Sequence, residues 1–308
     1  MCSTSVVSDA GENVSHTALD QQALIVDGIR RALDRIEILP RRILLETPTV
    51  AASAPMLRGV WGAALRELDR EVYSRVFEGR SARASPADAP QYIMRPAPPD
   101  PQFCPAMEWI LIGEGVRHDQ MLRRAWDIAS GMGLGPQRVR FHLRRWLGLD
   151  ATGRAGEASR AWALGRAAWP GPHPETTPCH LVFEAPLRLR RKGRLIEQPT
   201  LADIVVAATR RVTAFLPPND QGPWRALAER LHDLARRTPQ DAWQGGRLDL
   251  TRYSGRQQRE LDLHGVSGRL LLPEGPGPLW PLLAAAGWIH VGKGTVMGLG
   301  QMRVVVYE

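Results

Sequence analysis

Lysine and cysteine are both scarce in this chain of 308 residues. Lys192 and Lys293 are the only lysines, so its basic side chains are almost all arginines. The cysteines at positions 2, 104 and 179 are far apart, which excludes a paired disulfide framework and a cysteine-based zinc cluster. No apolar run approaches the length of a membrane span. We therefore expect a protein from a reducing compartment, without a metal or small-molecule cofactor and without contact with a membrane.

The N-terminal segment, residues 1–16, lacks the basic and apolar stretches of a secretory signal peptide. Its polar composition predicts a disordered tail. Together with the cysteine pattern, this segment indicates a cytoplasmic protein.

The charge balance is strongly basic, with a formal net charge of +8 and a pI of about 10.2. Arginine is the side chain that grips phosphate with two parallel hydrogen bonds. A basic balance of this size favours a polyanionic partner, and nucleic acid is the usual one. The alternative is a basic soluble enzyme whose arginines only face water.

One octapeptide occurs twice, as MGLGPQRV from Met132 and as MGLGQMRV from Met297. A strand-like apolar run and then a helical run precede each copy, and a β-rich run follows each. Two copies so far apart predict two related domains, because solenoid repeats follow one another closely.

The order of predicted elements supports this duplication. In the first half we predict a strand at 42–47, a helix, a loop that may hold a strand, another strand, a helix, and a last strand at 138–143. The second half repeats the strand–helix–strand–strand–helix–strand order, with one added helix. The sequence therefore predicts an α+β protein of two tandem ferredoxin-like (RRM-like, βαββαβ) domains with extra helices. The predicted parts are a tail at 1–16, an N-terminal domain at 17–149, a linker with a possible helix at 150–178, and a C-terminal domain at 179–308.

The second glycine loop, residues 292–300, does not fit either common phosphate-binding motif. Its lysine is followed by glycine where a P-loop needs serine or threonine. A dinucleotide fingerprint runs from strand into helix, whereas this loop runs from helix into strand. Two roles remain open: a tight turn that needs glycine, or a bare backbone that contacts a ligand. The residues that would make such a contact are Gly292, Lys293, Gly294, Thr295, Gly298, Gly300 and the nearby Arg303.

Four segments together resemble a known family. His290-Val291-Gly292-Lys293-Gly294-Thr295, joined to Met297-Gly298-Leu299-Gly300, resembles the C-terminal signature of Cas6, the CRISPR precursor-RNA endoribonucleases of the RAMP superfamily. The other matching segments are Arg252–Gln258 (RYSGRQQ), Pro186–Leu189 (PLRL) followed by Lys192-Gly193, and Leu57–Leu65 (LRGVWGAAL). Residues 79–106 and 150–178 match no segment of the family.

This resemblance implies a function and partners. Cas6 proteins bind a CRISPR repeat and cut it once without metal. The 2′-hydroxyl upstream of the scissile phosphate attacks, which leaves a 2′,3′-cyclic phosphate and a 5′-hydroxyl. Many members keep the crRNA product and join an effector complex, so repeat RNA, crRNA and other Cas subunits are the expected partners.

The catalytic candidates do not follow the usual pattern of the family. Many members carry a histidine near the first helix of the first domain, but no histidine lies between His16 and His118 here. His290 beside the glycine loop is the replacement that we expect, either as a base or as a packed residue that supports the loop. The further catalytic candidates are Tyr253, Arg58 and Arg256.

Clustered cations are the candidate RNA contacts. The list comprises Arg41, Arg42, Arg138, Arg140, Arg188, Arg190, Arg191, Lys192 and Arg194, besides the glycine-loop residues. Any single one of them is equally explained as a solvated side chain. Two rival functions stay open: a RAMP-type subunit that binds guide RNA without cutting it, and a small-ligand protein whose glycine loop holds a nucleotide.

Overall fold

A computed structural model describes residues 10–46, 53–80, 89–97, 106–249, 251–254 and 259–307. Side chains are described in all of these ranges except 10–19, 251–254 and 259–262. The longer elements of the first half are α1 (Ala10–Leu33), β1 (Glu37–Glu46), α2 (Ala54–Leu68), β2 (Tyr92–Pro96), β3 (Ala106–Ile112), α3 (Asp119–Met132) and β4 (His142–Leu149).

The second half contains β5 (Cys179–Leu187), α4 (Leu201–Phe215), α5 (Pro218–Arg237), β6 (Gln244–Leu248), β7 (Thr251–Ser254), β8 (Arg259–Asp262), β9 (Gly265–Leu272), α6 (Trp280–Ile289) and β10 (Arg303–Val306). Short helical segments lie at Arg70–Val72, Tyr73–Phe77 (a π-helix), Glu114–Arg117, Leu164–Arg166, Gly277–Leu279 and Thr295–Met297. Two-residue strands lie at Ala155–Gly156, Trp162–Ala163, Arg190–Arg191 and Arg194–Leu195.

The two main sheets have the same topology. The first has the spatial order β2-β3-β1-β4, and the second has the order β10 at one edge, then β5, β9 and β6. If the four main strands of each sheet are counted along the chain, the first and third lie in the centre: β1 and β3 in one sheet, β5 and β9 in the other. All of these strand pairs are antiparallel. With the chain order strand–helix–strand–strand–helix–strand, this is the ferredoxin-like arrangement. The predicted fold class is confirmed.

Several predicted boundaries were wrong, and the reasons are local. The first strand begins at Glu37 and runs through Pro40. A proline is tolerated there because one edge of β1 changes partner at this point, from Trp162–Ala163 to β4. The last strand of this half begins only at His142, since backbone hydrogen bonds between Leu134 and Val139 close a turn before it.

The predicted linker and tail also hold structure of their own. The possible helix near residues 159–168 is instead an extended pair, Trp162–Ala163, followed by a single helical turn. Trp162–Ala163 adds to the first sheet beside β1. Helix α1 begins at Ala10, inside the predicted tail, while residues 1–9 lie outside the described part of the chain. The division into domains at 150–178 stays a prediction.

The first sheet is buried on both faces, and each face belongs to a different core. Leu111 and Trp109 on β3 pack with α2 and α3 in a core rich in aromatic side chains. Ile110 and Ile112 alternate with them and face the opposite way, as strand geometry requires. They pack with α1 and with apolar side chains of the second half, such as Leu181. This second core therefore contains side chains from both halves of the protein.

Candidate nucleic-acid interface

The second glycine loop follows α6 and is tied at its base. Val291 N–H donates to Gly300 O over 3.0 Å, and Gly300 N–H donates to Pro186 O over 2.9 Å. Gly300 has φ of 64°, and a Cβ at this position would overlap the Val291 carbonyl oxygen. A side chain is excluded here on both grounds, so the tight-turn role of this glycine is real.

The same loop lies against the first half of the protein. Gly298 has φ of 83°, and a Cβ there would come within 3.2 Å of Met94 O and 3.3 Å of Arg95 Cα on β2. The helical turn Thr295–Met297 contacts both β2 and α2. The glycine loop is thus placed at the seam between the two ferredoxin-like units.

His290 is completely buried at the foot of this loop. Its Nδ1 lies 3.1 Å from Leu299 O, and its Nε2 lies 3.3 Å from Nη1 of Arg95. Burial, and secondly the charge of Arg95, hold the pKa of His290 well below its ordinary value. The ring is therefore neutral, and it donates from Nδ1 to Leu299 O and accepts at Nε2 from Arg95.

The backbone of His290 is also strained, with φ of 56° and ψ of 165°. This region is rarely adopted by residues other than glycine and costs on the order of 1–3 kcal/mol. Of the two roles left open for His290, the geometry favours the packed residue, because neither ring nitrogen faces solvent.

A chain of polar contacts continues from His290 across the first sheet. Arg95 Nε donates to Glu108 Oε2 over 2.7 Å, and its Nη1 also donates to Gly287 O over 2.9 Å. Glu108 accepts a second guanidinium through Oε1, 2.9 Å from Arg42 Nη2. The buried carboxylate of Glu108 thus holds two arginines, one of which anchors the end of α6 and the glycine loop.

A basic cleft of about 570 Å³ lies beside the glycine loop. Lys293 N–H donates to Arg188 O over 3.1 Å, and Gly292 permits this approach because a Cβ there would come within 2.8 Å of the same oxygen. Helix α4 forms the opposite wall. The cations that line the cleft are Arg188, Arg190, Arg191, Arg210, Arg211 and Lys293, and Asp203 is the single acidic residue among the described lining residues.

The rim of the cleft includes a short hairpin, in which Arg190–Arg191 pairs with Arg194–Leu195. Lys192 and Gly193 form its turn with φ of 49° and 82°, as a two-residue turn of type I′ requires. Arg191 and Arg194 face each other directly. Like charges opposite one another destabilise a strand pair, and Asp203 compensates part of this by pairing with Arg191.

A second cleft, of about 540 Å³, lies at the seam and is mostly apolar. It is lined by the start of α2 from Ser53 to Leu57, by Pro186, and by the loop residues Met297–Leu299. This is where the first helix of one ferredoxin-like unit and the glycine loop of the other come together.

Residues 181–302 match the family model described as CRISPR-associated endoribonuclease Cas6. The match runs from β5 through the glycine loop. This part of the chain is similar to Cas6. The resemblance inferred from its motifs is confirmed.

Solved Cas6 structures share the fold over nearly their whole length. A Cas6 product complex is 17% identical, with a TM-score of 0.56 over 87% of this chain and 99% of the other. Thermus thermophilus Cas6 is 15% identical, with a TM-score of 0.54 over 88% and 99%. A Cas6 substrate-mimic complex is 20% identical, with a TM-score of 0.52 over 87% and 99%. No curated protein matches this chain significantly.

The Cas6-like fold brings some of the predicted RNA contacts together and separates others. Arg188, Arg190, Arg191, Gly292 and Lys293 share the basic cleft. The exposed residues Arg138 and Arg140 instead lie in the other half, before β4. The remaining predicted contacts are Arg41 and Arg42 on β1, Lys192 and Arg194 on the hairpin, Gly294, Thr295, Gly298 and Gly300 in the loop, and Arg303 on β10.

Besides Arg191, three more predicted contacts are engaged within the protein. Arg41 is buried and makes a bidentate ion pair with Asp119, and its Nε donates to Ser159 Oγ over 2.7 Å. Arg42 pairs with Glu108, as described above. Arg303 is exposed and pairs with Glu184 over 2.6 Å. Arg41 in particular is a packed residue of the first sheet, with no surface to offer to RNA.

Two of the four catalytic candidates, Arg58 and His290, have described side chains. The half-buried Arg58 donates to Tyr92 Oη over 2.7 Å and lies 4.2 Å above the Phe77 ring. Tyr253 is on β7, and its side chain lies outside the description. Arg256 falls in the segment between β7 and β8, outside the described residues. His290 is buried at the seam.

Sequence reasoning missed Arg95, Glu108, Arg210 and Arg211. The Arg210-Arg211 pair on a helical pattern was a usable signal for two more cations in the basic cleft. Arg211 donates to Ile289 O at the end of α6 and lies 4.6 Å from the Phe215 ring, and burial lowers its pKa to about 10. It therefore stays charged at neutral pH and stabilises the carbonyl end of α6.

Two features are absent from the described residues. No helix there is long and apolar enough to span a membrane. The described side chains also contain no group of three or more His, Cys, Asp or Glu residues placed to hold a metal ion.

Proposed function

We propose that this protein is an endoribonuclease that cuts CRISPR precursor RNA within its repeats and keeps the mature crRNA. The observation that carries the proposal is the position of the glycine loop. It belongs to the part of the chain that matches the Cas6 family, and it lies at the seam beside a cleft lined with cations. Solved Cas6 structures of this fold include a product complex and a substrate-mimic complex.

The proposed reaction needs no metal. The 2′-hydroxyl loses its proton to a base and attacks the adjacent phosphorus, the bond from phosphorus to the 5′-oxygen breaks, and the leaving oxygen takes up a proton. A 2′,3′-cyclic phosphate and a 5′-hydroxyl result. Holding the attacking oxygen in line supplies much of the acceleration of such an intramolecular step, and cations offset the charge that builds on the phosphate.

We further propose that the segment with Tyr253 and Arg256 supplies the reacting groups, with Arg58 as a supporting cation and His290 as a positioning residue for the loop. A tyrosine can transfer the proton, and a guanidinium can hold two phosphate oxygens. His290 has no nitrogen left for the RNA in the described conformation.

The decisive experiment is single-turnover cleavage of end-labelled repeat RNA in EDTA. We expect one cut, and a 3′ end that resists alkaline phosphatase until acid opens the cyclic phosphate. We expect Tyr253→Phe and Arg256→Gln to slow the cut at least about tenfold while repeat RNA still binds, because each removes a transition-state contact. Arg124→Gln, an exposed position on α3, is the matched control.

A non-cutting subunit that binds guide RNA is the second candidate, and the burial of His290 is the observation that favours it. This alternative predicts tight, salt-sensitive binding of repeat RNA with no product under any of these conditions. Binding without cleavage would replace the first proposal by the second.

A further inference from the structure

The basic cleft has two kinds of surface. Its exposed rim carries the cations Arg190, Arg191, Arg210 and Lys293. The less exposed lining combines Arg188 and Arg211 with an aliphatic floor of Leu189, Ile196, Val206 and Ala207. A site that only tracked phosphates would not need an apolar floor. A ligand that fits both surfaces has a flat or apolar part beside a strong anion.

Among the described lining residues of the cleft, cations outnumber the one acidic side chain, Asp203. Asp203 accepts from Thr200 N–H in the capping box of α4 and also pairs with Arg191, and Arg211 donates to Ile289 O. Arg190, Arg210 and Lys293 are exposed around the same opening. Crowding of like charges in a concave site raises the local positive potential, so an anion bound there is stabilised.

The size and shape of the cleft favour an unpaired nucleotide over double-stranded RNA. About 570 Å³ lies within the range of pockets that hold a small ligand. A double helix keeps its bases inside the stack and offers only phosphates and hydroxyls to such a concave surface. An unpaired nucleotide exposes the face of its base and carries phosphates on either side, which matches the floor and the rim.

We propose that this cleft binds an unpaired nucleotide of the RNA, with the base on the aliphatic floor and the flanking phosphates at Arg190, Arg210 and Lys293. The cleft is thus a site for single-stranded RNA next to the seam. The proposal rests on the proposed function only in taking RNA as the ligand.

The test compares two labelled RNAs by fluorescence anisotropy at several salt concentrations. One is a ten-nucleotide oligouridylate, and the other is a blunt hairpin without unpaired ends. For Arg190→Gln/Arg210→Gln we expect affinity for oligouridylate to fall at least about tenfold, and the slope of log K against log salt to fall by about one for each lost phosphate contact. Hairpin binding should change much less.

A second variant tests the floor without altering charge. Ala207→Met fills part of the cleft, so affinity for oligouridylate should fall while the salt slope stays the same. The matched charge control is Arg66→Gln/Arg124→Gln, two exposed positions on helices of the first half. Thermal unfolding of each variant checks that the fold is kept.

Two results would overturn the proposal: oligouridylate affinity of Arg190→Gln/Arg210→Gln equal to that of the control, or equal losses for oligouridylate and hairpin. The proposed nuclease function is tested separately. If repeat RNA is never cut but oligouridylate binding depends on the cleft, the nuclease proposal fails and this one stands. If repeat RNA is cut while cleft variants bind oligouridylate normally, the nuclease proposal stands and the cleft proposal fails.

Discussion

Arg95 Nη1 lies 3.3 Å from His290 Nε2, and this contact joins β2 of the first half to the foot of the glycine loop in the second. The two residues are 195 positions apart in the chain. Because Arg95 also holds Glu108 and Gly287, one guanidinium connects the first sheet, the end of α6 and the loop. The position of the loop therefore depends on a residue outside the Cas6-matched region.

Replacing Arg95 by methionine should destabilise the protein by roughly 2–4 kcal/mol, since Glu108 and His290 would be left buried with fewer partners. Arg95→Lys should recover part of the loss, because an ammonium can still pair with Glu108. Urea unfolding measures the difference, with the exposed Arg124→Met as control. An Arg95→Met protein as stable as the parent would show that the network contributes nothing net.

Acid should weaken the fold through His290. Its pKa is depressed in the folded protein, so the unfolded chain binds the proton more readily as pH falls below about 6.5. The free energy of unfolding contributed by the neutral ring is present above that pH and is lost as pH falls toward the folded pKa, at up to about 1.4 kcal/mol per pH unit.

His180 and His232 also have lowered pKa values, mainly through burial, and they add to the same slope. The measurement is therefore a difference: unfolding free energies of the parent and of His290→Gln between pH 7 and pH 5. We expect a shallower slope for His290→Gln, and His173→Gln, at an exposed position, serves as the matched histidine control. Parallel slopes for the parent and His290→Gln would contradict the expectation.

Gly300→Ala should destabilise the protein by several kcal/mol, because the new Cβ would overlap Val291 O at a positive φ. Gly131→Ala is the matched control: that glycine lies in α3, is exposed and has open space around its Cβ position. There alanine should be neutral or stabilise by up to about 1 kcal/mol. Thermal unfolding of both variants gives the comparison, and similar shifts in Tm would count against the described loop.

Two arginines with the same predicted role should behave in opposite ways. Arg41→Gln should cost about 3 kcal/mol or more of stability by leaving Asp119 without its bidentate partner, but it should not change the salt slope of RNA binding. Arg194→Gln, on the exposed hairpin, should leave stability unchanged and lower that slope by about one. Urea unfolding and a salt titration with repeat RNA test both. A lowered slope for Arg41→Gln would restore it as an RNA contact.

The tandem fold was predictable because its signals are local and occur twice. Each half carries its own strand and helix patterns, and the MGLG copies mark equivalent positions. Cations that cluster along the sequence, such as Arg188, Arg190 and Arg191, also proved to share a cleft.

Contacts between distant segments could not be predicted in this way. Trp162–Ala163 reads as part of a helix, yet it pairs with β1 because an edge is open there. Arg95 lies on a five-residue strand, and nothing near it in the sequence indicates that it reaches His290. The same limit explains why Arg41 was expected on the surface, since its partner Asp119 is 78 positions away.

The core that α1, the first sheet and the second half build together has a consequence for dissecting the protein. Expressed alone, residues 179–308 would expose to water the apolar surface that normally covers Ile110 and Ile112. Such a fragment would tend to aggregate. We therefore expect the stretch that carries the family signature to need the first sheet and α1 in order to fold stably.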